Sequence, residues 1–217
     1  GGAHVGHLKH YSADFFQTMR AAGCVRLLIG AESASPDVLA RVGKKQTPQQ
    51  VLDINRSLTG AGIRPIYSFI SGVPEETDDD LRQTVELMAQ LRKSGGEVDV
   101  GTIKPLIFYP GSTLYSWALD NGFVPPKTVE GWIGISWDHY LELPYPWLSP
   151  ERRRFLIRLY YYSLLWNPDY HWVSSPIFTG AARLLMPLTE WRLKRLEFRL
   201  GLLPSLLRWI QHFALSR

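Results

Sequence analysis

The chain is 217 residues long, 45% apolar, with a net charge of +4. That is enough apolar material for a sizeable core, in one domain or one and a half, and it excludes a disordered or fibrous protein. Its single cysteine, Cys24, excludes an internal disulfide, and one thiol cannot hold a zinc or an iron–sulfur cluster unaided, so a reducing, cytoplasmic compartment is expected.

The opening GGAHVGHLKH reads neither as a signal peptide nor as a start at Met, and the sequence reads as a fragment. Within it AHVGHLKH is a candidate strand. Ser12 is placed to cap a helix that carries Phe15, Phe16, Met19 and Ala22 on one face and ends at Gly23. VRLLI, residues 25–29, is an unbroken apolar run of the kind buried on both faces in a parallel sheet. A short helix at 36–41 follows the turn Gly30-Ala31-Glu32-Ser33. Thr47-Pro48-Gln49-Gln50 then has the pattern of a capping box with proline in the first turn, opening a helix with Val51, Ile54 and Leu58 inward.

The unit repeats. A strand at 63–70 leads through GVPEET to a helix opened by Thr77. Asp78, Asp79 and Asp80 lie against its positive end, and Leu81, Val85, Met88 and Leu91 form its stripe. A third strand over 97–108 leads through YPGST to a helix at 113–121. Strands alternating with helices at this spacing predict an α/β fold. We expect a partial parallel (β/α), TIM-like barrel of about four strands over residues 1–124, with right-handed crossovers and an open edge.

After Phe123 the text changes. Pro125-Pro126 marks a boundary, and seven of the eight tryptophans follow it: Trp132, Trp137, Trp147, Trp166, Trp172, Trp191 and Trp209. Ser149-Pro150-Glu151 opens a helix through Leu165, and 181–199 and 203–214 also read as helical, so 125–217 is expected to be an α-helical extension. Residues 181–217 hold seven basic residues against two acidic ones, so the basic character belongs to the tail. The whole chain is not a nucleic-acid binder by this measure. A tail mixing Trp, Leu and Arg suits an interfacial helix on an anionic membrane, or a helix packed on the barrel with its arginines in solvent.

In parallel α/β folds ligands sit at the carboxyl ends of the strands, so the loops GAES, GVPEET and YPGST are the candidate site. Glycines admit a ligand close to the backbone, carboxylates accept from an amine or ribose hydroxyls, and Ser and Thr add adjustable donors. Each loop also has a plainer reading. Glu32 could cap the helix at Pro36, Glu76-Thr77 could be a cap, Pro110-Gly111 a turn, Lys44 a solvated lysine, and His4, His7 and His10 surface histidines.

Taken in order, AAGCVRLLIGAES, Lys44 with Thr47, AGI, FISGVPEET and YPGSTLY with Asn121-Gly122 resemble the second half of a radical S-adenosylmethionine barrel. The likeness covers about residues 7–123 and is greatest to the cobalamin-dependent branch. It implies that Glu32 and Ser33 contact S-adenosylmethionine (SAM), and that Gly72, Pro74 and Glu76 shape a turn beneath it. Tyr109, Pro110 and Gly111 would line the third side, with His7 and Lys44 toward substrate. His7 stands where relatives usually have arginine, and Glu75 stands where they commonly have glycine. The resemblance also implies a [4Fe-4S] cluster and cobalamin, whose ligands and domain would lie outside this chain, because the family's cysteine triad is absent from these residues. The expected activity of the intact enzyme is reductive SAM cleavage followed by methyl transfer, thiolation or cyclisation on a small or lipid-like substrate. The competing reading is a non-catalytic binding module with peripheral membrane contact through the basic tail.

Overall fold

A computed structural model describes residues 2–135, 145–167 and 176–198. Trp137, Trp172, Trp209, the expected helix at 203–214 and the tail arginines Arg199, Arg208 and Arg217 lie outside the described residues. The elements run β1 (Gly2–His4), α1 (Val5–Leu8), α2 (Ala13–Ala21), β2 (Arg26–Glu32), α3 (Pro36–Arg41), α4 (Pro48–Gly60), β3 (Arg64–Ser71), α5 (Asp78–Lys93) and β4 (Asp99–Pro105). They continue through α6 (Thr113–Asp120), α7 (Val129–Ile133), α8 (Pro150–Leu165) and α9 (Pro176–Arg195). One four-stranded sheet has the order β1-β2-β3-β4, and each neighbouring pair is parallel. The α/β fold with a helical extension is therefore present.

Local chemistry explains the helix starts. At α4 the Thr47 hydroxyl accepts from the Gln50 amide at 3.2 Å while the Gln50 side chain accepts from the Thr47 amide at 3.1 Å. Thr77 and Asp80 repeat the device at α5. At α2 Ser12 occupies the cap position, but its side chain makes no capping bond.

Two expectations need correction. AHVGHLKH yields only the three-residue β1, because the His4 ring accepts from the Gly6 amide at 2.9 Å and turns the chain into α1. VRLLI is not buried on both faces: Ile29 is fully covered by helices while Leu28, its neighbour, is 45% exposed on the concave side. Side chains alternate along a strand, and here only the convex side carries a complete helix layer. In β3 the same alternation sends Tyr67 and Phe69 into the core and leaves Ser68 and Ile70 on the concave face.

The helical stripes meet those strands in one core that includes Val51, Ile54, Leu58, Leu81, Val85 and Met88. Phe16 joins it, whereas Phe15 remains 37% exposed and stacks on Tyr11 at 4.0 Å. β4 approaches β3 so closely that a Cβ on Gly101 would lie 2.3 Å from the Tyr67 carbonyl oxygen, so the strand requires glycine there.

The exposed edge of β4 is closed by α8. The Ser163 hydroxyl accepts from the Ile103 amide at 3.1 Å, and Asn167 donates to the Val100 carbonyl. Leu156, Leu159, Tyr162 and Trp166, with Leu193 of α9 and Phe198 just beyond it, join the same core as the sheet. A bare strand edge is a pairing hazard, and side-chain bonds from a covering helix remove it.

Ser163→Ala takes away the partner of a buried amide without leaving room for much water. It is expected to destabilise the fold by about 1–3 kcal/mol in urea unfolding. A loss below about 0.5 kcal/mol would mean that water reaches this edge.

Candidate functional site

The carboxyl ends of β2, β3 and β4 open into a cleft of about 780 Å³, within the usual range for small-molecule sites. Leu28, Ile70 and Leu106 give it an apolar floor, and Glu32, Lys44 and Lys104 bring charge to it. Burial holds the Lys104 ammonium below its ordinary range.

Glu32 ends β2 in the left-handed region, at φ 60°, just after a register shift between Gly30 and Glu32. For a side chain with a Cβ this conformation costs on the order of 1 kcal/mol, and it persists only where the surroundings enforce it. The carboxylate folds back over the strand: a Cβ on Gly30 would meet Glu32 Oε1 at 2.3 Å. Lys44 Nζ lies 3.1 Å from the same oxygen. The cap of α3 is Ser35, whose hydroxyl accepts from the Val38 amide at 3.3 Å, so Glu32 does not cap that helix.

His4 belongs to this group, although its residue type alone gave no reason to prefer it over the other histidines. Burial, then Lys44 and His7, hold its imidazole below the usual histidine range, against the opposing pull of Glu32. Its neutral form is therefore favoured, with Nδ1 engaged by the Gly6 amide. The sequence signal that could have found it is the carboxyl end of β1.

The remaining candidates divide. Tyr109, 54% exposed, and Gly111 line the cleft, with Pro110 exposed between them in a turn. Lys44 lines it too. Ser33 is buried behind the site, its hydroxyl 2.9 Å from Thr84 Oγ1 and accepting from the Ser35 amide at 3.1 Å. Gly72 donates its amide to Glu76 Oε2 at 2.8 Å and accepts at its carbonyl from Trp147 Nε1 at 3.2 Å. Glu76 thus staples its own loop, with Arg152 donating to its carbonyl at 3.1 Å. Burial pushes the Glu76 carboxyl up to about 8, against the Gly72 hydrogen bond and Arg152. Pro74 lines a smaller pocket next to the cleft with Arg41, Leu114 and Trp117. His7 is exposed on α1, its ring 5.4 Å from that of His4.

Cys24 precedes β2, at the end of the strand away from the cleft. Among the described residues no group of three or more His, Cys, Asp or Glu side chains is placed to hold a metal ion. One thiol at the wrong end of a strand does not fit an iron–sulfur cluster.

Residues 6–88 match the family model of the radical SAM superfamily. The chain is 32% identical over 108 residues to an uncharacterized methyltransferase of Pyrococcus horikoshii, covering 50% of this chain and 22% of that protein. It is 33% identical over 78 residues to the heme chaperone HemW of Mycobacterium tuberculosis, covering 36% of this chain and 20% of the relative. It is also 36% identical over 73 residues to the tRNA-2-methylthio-N(6)-dimethylallyladenosine synthase of Pelobacter propionicus, covering 32% and 16%. The chain thus spans about a fifth of the length of these relatives.

Glu76 gives a pH signature. Its folded value, about 8, lies above the ordinary carboxyl value of 4.5, so the folded state holds the extra proton. The stability it confers is complete below about pH 4.5 and is lost as pH rises through 8. Glu76→Gln keeps an acceptor for the Gly72 amide and cannot ionise. The variant is expected to gain on the wild type as pH rises, by up to about 5 kcal/mol at pH 9, in denaturant titrations across that range. Parallel stability curves would show that Glu76 ionises as in water.

Proposed function

We propose that this chain, whose residues 6–88 match the family model of the radical SAM superfamily, binds SAM in the cleft and orients it for radical chemistry carried out by a larger protein. Such chemistry in general uses SAM with a [4Fe-4S] cluster, and with Cys24 as the single thiol the cluster's ligands are not among these residues. The contribution of this chain is therefore binding and orientation.

The observation that carries the reading is Glu32. A left-handed, strained carboxylate at the mouth of a parallel sheet is an expensive way to end a strand, and conformations of this kind concentrate where a ligand is gripped. A carboxylate has about four acceptor positions, so Glu32 can hold the ammonium of Lys44 and the amine of an amino-acid moiety together. Lys44 fixes the direction of the carboxylate, and Gly30 gives it room against the strand. Tyr109 and Gly111 offer a ring and an open backbone on the opposite side. Among the three outcomes open to the family, we favour methyl transfer, because of the relatives described above the longest alignment is with a protein named as a methyltransferase.

A second reading has its own observation. Leu184, Leu188 and Trp191 form one exposed stripe on α9, 85%, 46% and 45% exposed, with the Arg195 guanidinium 4.6 Å from the Trp191 ring. Among the described residues no helix is long and apolar enough to cross a membrane. A stripe of leucines and tryptophan with adjoining arginine instead suits the surface of an anionic bilayer. Leu184→Glu with Leu188→Glu is expected to abolish co-sedimentation with phosphatidylserine vesicles. Equal sedimentation of both proteins would remove this reading.

For the cleft, Glu32→Gln keeps size and an acceptor but removes the charge that an amine needs. The loss is about 1.5–3 kcal/mol, or roughly tenfold to a hundredfold in SAM affinity by calorimetric titration. Unchanged affinity would take Glu32 out of the site.

A further inference from the structure

The smaller pocket beside the cleft has a volume of about 140 Å³, between α3, the loop after β3 and α6. Arg41, Thr113 and Leu114 line both spaces, so one opens into the other. An apolar cavity of about 150 Å³ holds one benzene molecule, and this pocket is of that size. Its walls are Pro74, Leu114 and Trp117, the last held edge-on against Trp147 at 5.2 Å.

The polar group at its mouth is Arg41. One guanidinium nitrogen lies 3.0 Å from Glu75 Oε2, while the other terminal nitrogen, Nη1, is buried without a hydrogen-bond partner. A guanidinium is a planar fork that matches the two oxygens of a carboxylate, so Arg41 is half occupied. Its present partner is weakly held. The Glu75 side chain is 74% exposed, and an ion pair so open to water contributes little. Its backbone is also left-handed, at φ 59°, which disfavours any residue but glycine.

We propose that this pocket is a substrate subsite for an aromatic carboxylate: the ring enters between Pro74, Leu114 and Trp117, and the carboxylate takes the Arg41 fork in place of Glu75. Glu75 then acts as an internal stand-in that keeps the arginine paired until the ligand arrives. Assigning the bound group to the molecule transformed in the cleft rests on reading the cleft as the SAM site; the subsite itself stands on its own residues.

The probe is 4-fluorobenzoate, titrated into the full chain and followed by fluorine NMR. Saturable binding is expected, at least tenfold tighter than that of the neutral 4-fluorobenzamide. Arg41→Gln should weaken it at least tenfold, and Leu114→Trp should block it by filling the pocket. Glu75→Gly should tighten it several-fold and raise the melting temperature, since it removes the competing carboxylate and relaxes the backbone. SAM affinity should be the same in Glu75→Gly as in the wild type. The proposal is overturned if neither the wild type nor Glu75→Gly binds the probe saturably, if the amide binds as well as the acid, or if SAM displaces the probe. In the last case the pocket would be part of the nucleoside site. Failure of Glu32→Gln to weaken SAM binding, with the fluorobenzoate results as expected, would remove the cleft assignment and leave this subsite in place.

Discussion

The turn after β2 is tied to the start of α5 by a buried polar network, and the geometry of the site depends on it. Ser35 donates to Asp80 Oδ1, while Asp80 Oδ2 accepts from the Thr77 amide at 2.8 Å and the Thr77 hydroxyl at 2.7 Å. Ser33 and the Ala34 amide reach Thr84 one turn further along. Burial alone would raise the Asp80 carboxyl, but the hydrogen bonds from Ser35 and Thr77 outweigh it and hold the group below its usual range. The charged form is thus stable inside, because every donor aimed at it is already in place. With the chain after Glu32 pinned in this way, the left-handed turn at Glu32 has no cheap way to relax.

The same residue type serves two masters in these loops, which is why the sequence is a better guide to the location of the site than to its membership. Glu32 and Glu76 both follow strands and both carry carboxylates. Glu32 opens to the cleft, whereas Glu76 turns back onto the Gly72 amide. Ser33 and Ser35 are equally ambiguous hydroxyls, and both are absorbed by backbone and network. No residue pattern tells a hydroxyl that satisfies a buried amide from one that faces a ligand; only the direction of the side chain does. The strands and the helix starts were legible because periodicity and capping are local. Closure of the β4 edge by Ser163 and Asn167 was not, since those residues are 60 and 67 positions away from their partners.

Arg41 and Lys104 illustrate a different gap. Lys104 interrupts an apolar strand, an anomaly visible in the letters VDVGTIKPLIF, yet strand periodicity alone does not say which face it takes. Arg41 sits at the end of a short helix, where basic residues are favoured by the helix dipole, so a structural reason hides the role proposed for it. Leu28 was misread for a related reason. An apolar side chain on a concave sheet face looks in sequence like one in a core, although here it forms the floor of a cleft.

The charges around the cleft bear on what it can hold. Arg41, Lys44 and Lys104 line it together with the one carboxylate of Glu32. Lys44 is paired with Glu32 and Arg41 with Glu75, so the rim carries both signs over an apolar floor. Burial disfavours the charged form of Lys104. On the proposed reading the methionine portion of SAM offers its amine to Glu32 and its carboxylate to the lysine side of the cleft, away from Arg41.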